Sequence, residues 1–209
     1  MQKPAHIILL FLSLHSLPGL AQVSYSTNPE TGLKGWKFNQ ADMQLELIQR
    51  LPDQTRGFFL ARGFSRKIAD QIARSCVFQT IVRNTGSGNK TENTDKKAIT
   101  VSLKQWRIIM NNKITPLKLK ENWINEWSLS SVKPAARHAF QWALFPTEQT
   151  FHPTGDFNWG MLSFGLTPGD TFDLQIKWSI AGKSHQSTIK NIQCAPDKVR
   201  RSKPRIKTR

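Results

Sequence analysis

Cysteine is scarce in this chain, where only two of the 209 residues are cysteines. Two cysteines cannot build the disulfide framework that holds small secreted folds together, and these two are too far apart to form the C-x-x-C pair of a zinc or redox site. Outside the N-terminus there is also no run of about 20 apolar residues, so we expect no transmembrane span after the signal peptide is removed. The remaining composition, 38% hydrophobic, is that of an ordinary globular chain.

Motifs of several enzyme classes are missing as well. The sequence has no G-x-S-x-G nucleophile elbow, no G-x-x-x-x-G-K-S/T phosphate loop, and no H-x-x-x-H or H-E-x-x-H pair. Acidic residues are few, with 14 Asp and Glu against 30 Lys and Arg and a net charge of +16. We therefore expect no cofactor and no bound metal, and a function in binding rather than catalysis.

The first 21 residues have the pattern of a secretory signal peptide. Lys3 supplies a positive start, and the apolar run over residues 7–14 is too short to span a bilayer. Gly19-Leu20-Ala21 then offers a small-x-small cleavage site before Gln22. We expect an exported protein, either periplasmic or secreted.

Export bears on the two cysteines, because an oxidising compartment favours their pairing. A disulfide between Cys76 and Cys194 would close a loop of 118 residues. Such a bond stabilises a fold by about 4 to 5 kcal/mol in the chain-entropy model. The alternative is a pair of thiolate metal ligands or a redox pair, for which the C-x-x-C spacing is absent. We predict the disulfide.

The N-terminal part is predicted to be extended and then helical. Residues 22–40 are rich in Ser, Thr, Asn, Pro and Gly, which favours an extended arm rather than packed structure. Asp42 could cap a helix that ends at Pro52, because the apolar residues between them recur at every fourth position: Met43, Leu47 and Leu51. Ser65 could cap a second helix. We therefore expect residues 41–75 to be helical.

The chain from Cys76 onward changes to the two-residue period of β-strands. Residues 77–82 are β-branched and aromatic, and residues 98–106 alternate between apolar and polar. The clearest alternation covers Thr171–Ile180, after which residues 185–194 return as a partner strand with a bulge near Lys190 and Asn191. These segments predict a mainly β region over residues 76–196.

One short helix is predicted within this β region, near residues 134–145, because Pro134 suits a first helical position. Together the segments predict an α+β fold. Its core would be an antiparallel β-sandwich-like sheet with a helical N-terminal portion packed against it. A single globular domain would then extend over residues 41–196.

Tryptophan is abundant, with seven residues in the chain. Exposed tryptophans anchor protein interfaces or stack on sugars. Trp106 falls on the polar side of the alternation in its strand, and Trp159 precedes a strand without fitting either face. We expect these two tryptophans to be surface anchors.

The C-terminal residues 197–209 contain one aspartate among seven basic residues, which predicts a disordered basic tail. The seven are Lys198, Arg200, Arg201, Lys203, Arg205, Lys207 and Arg209. Residues 22–196 are also basic, with 22 Lys and Arg against 13 Asp and Glu. In an exported protein this charge favours an acidic protein or an anionic envelope surface as partner, and disfavours nucleic acid.

The leading hypothesis is an exported, non-catalytic binding or assembly protein of the cell envelope. Two alternatives remain open. Glu148, His152 and Asp156 could supply the acid and base groups of a small periplasmic hydrolase. His152 with Met161 and a cysteine could instead hold copper, because imidazole and soft sulfur select that metal.

Overall fold

The computed structural model describes residues 21–87, 97–128 and 131–197. The predicted signal peptide, apart from Ala21, and the predicted basic tail, apart from Asp197, lie outside the described residues. No helix within those three ranges is long and apolar enough to cross a membrane.

Most of the described chain is β-structure. The strands are β1 (Gln22–Thr27), β2 (Lys34–Gln40), β3 (Met43–Gln49), β4 (Val77–Asn84), β5 (Ile99–Ser102), β6 (Arg107–Met110), β7 (Lys113–Pro116), β8 (Glu148–Phe151), β9 (Phe157–Ser163), β10 (Thr171–Ile180) and β11 (Lys183–Gln193). The helices are α1 (Pro52–Leu60), α2 (Arg66–Ala73), α3 (Lys120–Glu126) and α4 (Pro134–Ala143).

The strands form two antiparallel sheets that face each other. The first sheet has the order β1-β2-β3-β4-β9, and the second has the order β7-β6-β10-β5-β8 with β11 also paired to β10. Apolar residues from both sheets form one core between them, in which the rings of Phe38 and Trp178 meet edge to face with centroids 5.7 Å apart. The predicted α+β sandwich-like fold is confirmed.

The helices pack on the outer face of the first sheet, the face turned away from the second sheet. Strand alternation directs Phe78 of β4 into the core between the sheets and Val77 outward. Val77 joins a second apolar cluster, which the helices build around Phe59, Phe140 and Trp127. The first sheet is therefore covered on both faces in this region.

Residues 22–40 were expected to be an extended arm, and that expectation is wrong. They form β1 and β2, and both Trp36 and Phe38 are buried in the core between the sheets. These two residues alternate with polar Lys37 and Asn39, which is the pattern of a half-buried strand. The surrounding Ser, Thr and Gly residues obscured that alternation.

The predicted helix between Asp42 and Pro52 is also wrong, because these residues form β3. Met43, Leu45 and Leu47 are buried at every second position. Ala41 and Asp42 have φ angles of 46° and 60°, which is the two-residue turn that joins paired strands. Pro52 begins α1 instead of ending a helix, since proline is favoured at the first helical position.

Other predicted elements are confirmed. Ser65 caps α2 by accepting a hydrogen bond from the Ile68 amide at 3.4 Å, and Pro134 begins α4. The hairpin of β10 and β11 has its bulge where two residues of β11, Lys190 and Asn191, lie opposite Asp173. The Asp173 carboxylate accepts hydrogen bonds from Lys190 Nζ at 2.8 Å and from the Asn191 amide at 2.9 Å, so it fixes the bulge.

The predicted disulfide between Cys76 and Cys194 is present, and its Cα atoms are 5.1 Å apart. Cys76 precedes β4 of the first sheet, and Cys194 follows β11 of the second. Both cysteines are buried. The bond therefore joins the two sheets at one end of the sandwich.

We predict that Cys76→Ala/Cys194→Ala lowers the free energy of unfolding by about 2 to 5 kcal/mol, because the unfolded chain regains the entropy of a long loop. Urea unfolding measured by circular dichroism checks this. The wild type with a reducing agent should match the double variant, and the variant itself should not respond to the reducing agent. Equal stability of the wild type with and without reducing agent would contradict the prediction.

We predict that the bulge makes stability depend on pH. Burial opposes ionisation of Asp173, but the hydrogen bonds from Lys190 and Asn191 outweigh it, so its pKa lies below the usual range. A lowered carboxyl pKa stabilises the fold above the unfolded-state pKa of about 3.9, and this stabilisation is lost as the pH falls through the folded-state pKa.

Asp173→Asn should therefore lower the free energy of unfolding by about 1 kcal/mol near neutral pH, and the difference from the wild type should shrink below about pH 4. Urea unfolding at a series of pH values measures it. Lys190→Met, which removes the same ion pair from the other side, should show the same trend. A difference that stays constant from neutral pH to pH 2 would argue against this role of Asp173.

Candidate functional site

Trp106, expected to be a surface anchor, is fully buried, and that prediction is wrong. Its indole Nε1 donates a hydrogen bond to the Lys177 carbonyl at 3.0 Å. A 3-10 turn over Leu103–Gln105 interrupts the strand before Trp106 and resets the alternation. The indole is thereby turned into the core between the sheets.

Trp159, the second expected anchor, does lie on the surface. It belongs to β9, the edge strand of the first sheet, and 64% of its surface is exposed. Two more aromatic residues are exposed on this side of the protein. Phe157, two positions earlier on the same face of β9, is 51% exposed, and Trp142 near the end of α4 is 87% exposed.

The end of α4 is attached to β9 through backbone contacts. The Phe145 amide donates to the Met161 carbonyl at 2.8 Å, and Leu144 forms a bridge with Met161. The approach depends on Gly160, because a Cβ atom there would lie 2.5 Å from the Phe145 nitrogen. Only glycine permits this contact, which places Trp142 near Trp159.

Trp142 and Trp159 line the same cavity, which has a volume of about 320 Å³. We call it the aromatic–arginine pocket. Its walls come from the outer face of the first sheet, from α1 and from α4, and they are mostly apolar. The lining residues are Arg50, Phe58, Arg62, Gln79, Ala139, Trp142, Ala143, Trp159, Gly160 and Met161. None of these residues is acidic.

Arg62 is held by its neighbours on one side of the pocket. Its guanidinium lies over the Phe58 ring, 3.3 Å from the centroid, and Nη1 donates to the Phe58 carbonyl at 2.9 Å. The Phe58 ring thus attracts the guanidinium, and the Phe58 carbonyl accepts a hydrogen bond from one of its N–H groups. Arg62 therefore contributes a fixed positive charge at the pocket wall.

Arg50 is less well satisfied. Arg50 directly follows β3, and its backbone amide donates a hydrogen bond to the Val77 carbonyl at 3.1 Å. This hydrogen bond fixes the Arg50 backbone beside the pocket. Its side-chain Nε is buried and has no hydrogen-bond partner within the described part of the chain. Burial lowers the pKa of the Arg50 guanidinium, which still carries its charge at neutral pH.

Another pair of a cation and an aromatic ring lies further along the same face. The Arg83 guanidinium lies 4.3 Å from the centroid of the Phe157 ring, and its Nη1 donates to the Gly155 carbonyl at 3.0 Å. Arg83 and Phe157 are opposite each other on β4 and β9. The surface next to the pocket therefore repeats its combination of positive charge and aromatic rings.

The side chains of the possible hydrolase site form no hydrogen-bonded group with one another within the described residues, and the one contact uses the His152 backbone. Glu148 begins β8 and His152 follows its end, so about 13 Å of strand separates their backbones. The Asp156 carboxylate accepts a hydrogen bond from the His152 amide at 2.9 Å, which shapes the loop. All three residues are exposed. Nothing in this geometry favours catalysis.

The possible copper ligands are also separated in the structure. Met161 is buried in the apolar cluster beneath the helices, whereas His152 is exposed in the loop before β9. Both cysteines are committed to the disulfide. Among the residues that the structure describes, no group of three or more His, Cys, Asp or Glu side chains could hold a metal ion.

The seven basic tail residues, Lys198 to Arg209, lie outside the described residues. The last described residue before them is Asp197, whose carboxylate lies 3.8 Å from Arg74 Nη2. Arg74 directly follows α2, and its side chain also contacts Asp70. The chain therefore leaves the described part on the α2 surface.

Two lining residues were singled out from the sequence, Trp159 as a surface anchor and Met161 as a possible copper ligand. Four functional residues of the pocket were missed: Arg50, Phe58, Arg62 and Trp142. The spacing of Phe58 and Arg62, four residues apart near a helix, was a local signal for their contact. Arg50 had no such signal, because its segment was assigned to a helix.

Comparison of the chain with protein-family models, with curated proteins and with solved structures found no match. The geometry of the pocket is therefore the basis for its functional interpretation.

We predict that two tryptophan substitutions differ greatly in their effect on stability. Trp106→Ala should lower the free energy of unfolding by about 3 to 5 kcal/mol, because it opens a cavity and removes a buried hydrogen bond. Trp159→Ala should change it by less than about 1 kcal/mol, because most of the side chain is already in water. Urea unfolding measures both, and a large loss of stability in Trp159→Ala would show that its role is structural.

Proposed function

We propose that this protein is an exported, non-catalytic binding or assembly protein of the cell envelope, and that it recognises an acidic partner. The observation that carries the proposal is the group of three exposed aromatic side chains, Phe157, Trp159 and Trp142, beside a pocket with two arginines and no acidic residue. Clusters of exposed apolar side chains, unlike single ones, mark surfaces that bind a partner.

The composition of the pocket supports binding rather than catalysis. Its side chains are arginine, glutamine, aromatic, alanine and methionine. None of these is a nucleophile or a base that titrates near neutral pH. The same groups are suited to recognition, because tryptophan and arginine contribute most of the binding energy in many protein interfaces.

The charge of the chain supports an acidic partner. The positive charges of Arg50, Arg62 and Arg83 all lie on the aromatic side of the protein, and the net charge of the whole chain is +16. An excess of one sign steers a partner of the opposite sign toward the surface and makes association sensitive to salt. The basic tail would add to this attraction.

The disulfide is compatible with export, because such bonds persist in oxidising compartments. In that setting an acidic protein or an anionic envelope surface is available, whereas nucleic acid is not the expected partner. The basic tail would then hold the protein near the envelope, and the aromatic side would provide the specific contact.

We predict that Trp142→Ala/Trp159→Ala weakens association with the cell-envelope fraction by at least about tenfold, because both substitutions remove rings that would be covered by the partner. Co-sedimentation of the purified protein with the envelope fraction measures this. Tyr25→Ala is the matched control, since Tyr25 is 62% exposed on β1, away from the pocket, and it should bind as the wild type does.

A chain that ends at Asp197 separates the contribution of the tail. Its binding should be weaker than that of the full chain at low salt, and the difference should shrink at high salt as the charges are screened. Unchanged binding by the Trp142→Ala/Trp159→Ala variant would contradict the proposed function.

A further inference from the structure

The Arg50 side chain combines charge, burial and the lack of a partner. Its Nε is buried without a hydrogen bond, and none of the ion pairs within the described ranges involves its guanidinium. Arg50 Cζ lies 6.0 Å from the centroid of the Phe58 ring. A partly buried cation without an acceptor is unfavourable, and a ligand oxygen in the pocket would relieve this.

The other cation of the pocket is already engaged. Arg62 is stacked on Phe58 and donates to its carbonyl oxygen. Gln79 is the only other polar side chain of the lining. Both arginines keep their positive charge, but within the described residues only Arg50 has a guanidinium with no hydrogen bond to the protein. Arg50 is therefore the group that we expect to pair with a ligand carboxylate, which the two donors of one guanidinium edge can satisfy.

The apolar residues of the lining indicate what the uncharged part of the ligand is. Phe58, Trp142, Trp159 and Met161 present ring faces and a thioether, which contact flat apolar groups well. A sugar ring carries hydroxyl groups that need several hydrogen-bonding side chains, and this lining provides few. The volume of about 320 Å³ is at the lower end of the range of ligand pockets, which suits one ring and a short acid chain.

We propose that the aromatic–arginine pocket binds a carboxylate attached to an apolar ring, with the carboxylate on Arg50 and the ring between Phe58, Trp142 and Trp159. A planar carboxylate matches the two-donor fork of a guanidinium. This inference rests on the proposed function, for which it specifies the chemistry recognised. The ligand is either a free aromatic acid or the C-terminal carboxylate of a chain that ends in an aromatic residue.

Isothermal titration calorimetry tests the inference on the full chain after signal-peptide removal. The probes are 3-phenylpropanoate, its uncharged amide 3-phenylpropanamide, and phenyl phosphate. The wild type should bind the carboxylate at least about tenfold more tightly than the amide. Equal binding of carboxylate and amide, tighter binding of phenyl phosphate, or no binding of any probe would overturn the inference.

The Arg50→Met variant should lose the preference for carboxylate over amide, and Arg50→Lys should keep part of it, because lysine retains the charge without the fork. Arg66→Met is the matched control, since it removes one exposed arginine of α2 that does not line the pocket. It should keep the wild-type preference. Circular dichroism verifies that each variant is folded, and the carboxylate–amide comparison in the wild type needs no variant. An Arg50→Met protein that keeps the preference would also overturn the inference.

Two peptides distinguish the sources of the ligand. Both end in phenylalanine, one with a free C-terminal carboxylate and the other with a C-terminal amide. Tighter binding of the free-acid peptide than of 3-phenylpropanoate would support a protein C-terminus as the ligand. Binding of 3-phenylpropanoate but of neither peptide would support a free aromatic acid.

Failure of this inference can be told from failure of the proposed function. If no carboxylate binds but Trp142→Ala/Trp159→Ala still abolishes association with the envelope, the aromatic side is a recognition surface without a carboxylate pocket. If carboxylates bind but envelope association does not depend on these tryptophans, the pocket serves a different partner.

Discussion

The pairing of β4 with β9 is the constraint on which the core and the pocket both depend. Because side chains alternate along a strand, this pair sends Phe78 and Leu162 into the core between the sheets and Gln79 and Met161 to the opposite side. A shift of one residue in register would exchange the two sets. The buried core thus fixes which residues can line the pocket.

The helices form the remaining walls of the pocket on the outer face of the first sheet. Their apolar cluster covers one part of the outer face around Val77 and Met161, and it leaves the neighbouring part open. The backbone contact between Phe145 and Met161 sets the end of α4 against β9. This contact fixes where the backbone of α4 ends, and it thereby places Trp142 beside the pocket.

The pocket differs from the core and from the bulge. In the core the large rings of Trp106, Trp178 and Phe38 are buried, and at the bulge the charges of Asp173 and Lys190 are paired. In the pocket two tryptophans are exposed, and the charged Arg50 side chain has a buried Nε without a hydrogen-bond partner within the described residues. Local violations of this kind mark functional sites more often than defects of folding. This contrast within one molecule is the main physical reason to assign recognition to this side of the protein.

The sequence was informative where structure is local. The hairpin of β10 and β11 could be predicted because its alternation, turn and bulge all lie within neighbouring residues. The β3 strand could not be predicted, because the spacing of Met43 and Leu47 fits both the helical and the strand period. Pro52 did not decide between them, since proline can end a helix or begin one. Trp106 was misplaced by the turn before it. The pocket combines residues from α1, β4, α4 and β9 with Arg50 after β3 and Arg62 after α1. Their proximity depends on sheet pairing that no single segment encodes.

The most direct test of the account is to observe which side chains respond when a ligand binds. Nuclear magnetic resonance of the ¹⁵N-labelled protein, titrated with 3-phenylpropanoate, reports on each indole and guanidinium N–H group. If the pocket binds the ligand as proposed, the signals of Trp142, Trp159 and Arg50 shift together while those of the buried Trp106 and Trp178 stay in place. Saturable shifts confined to another surface, or no shift at the three pocket residues, would contradict it.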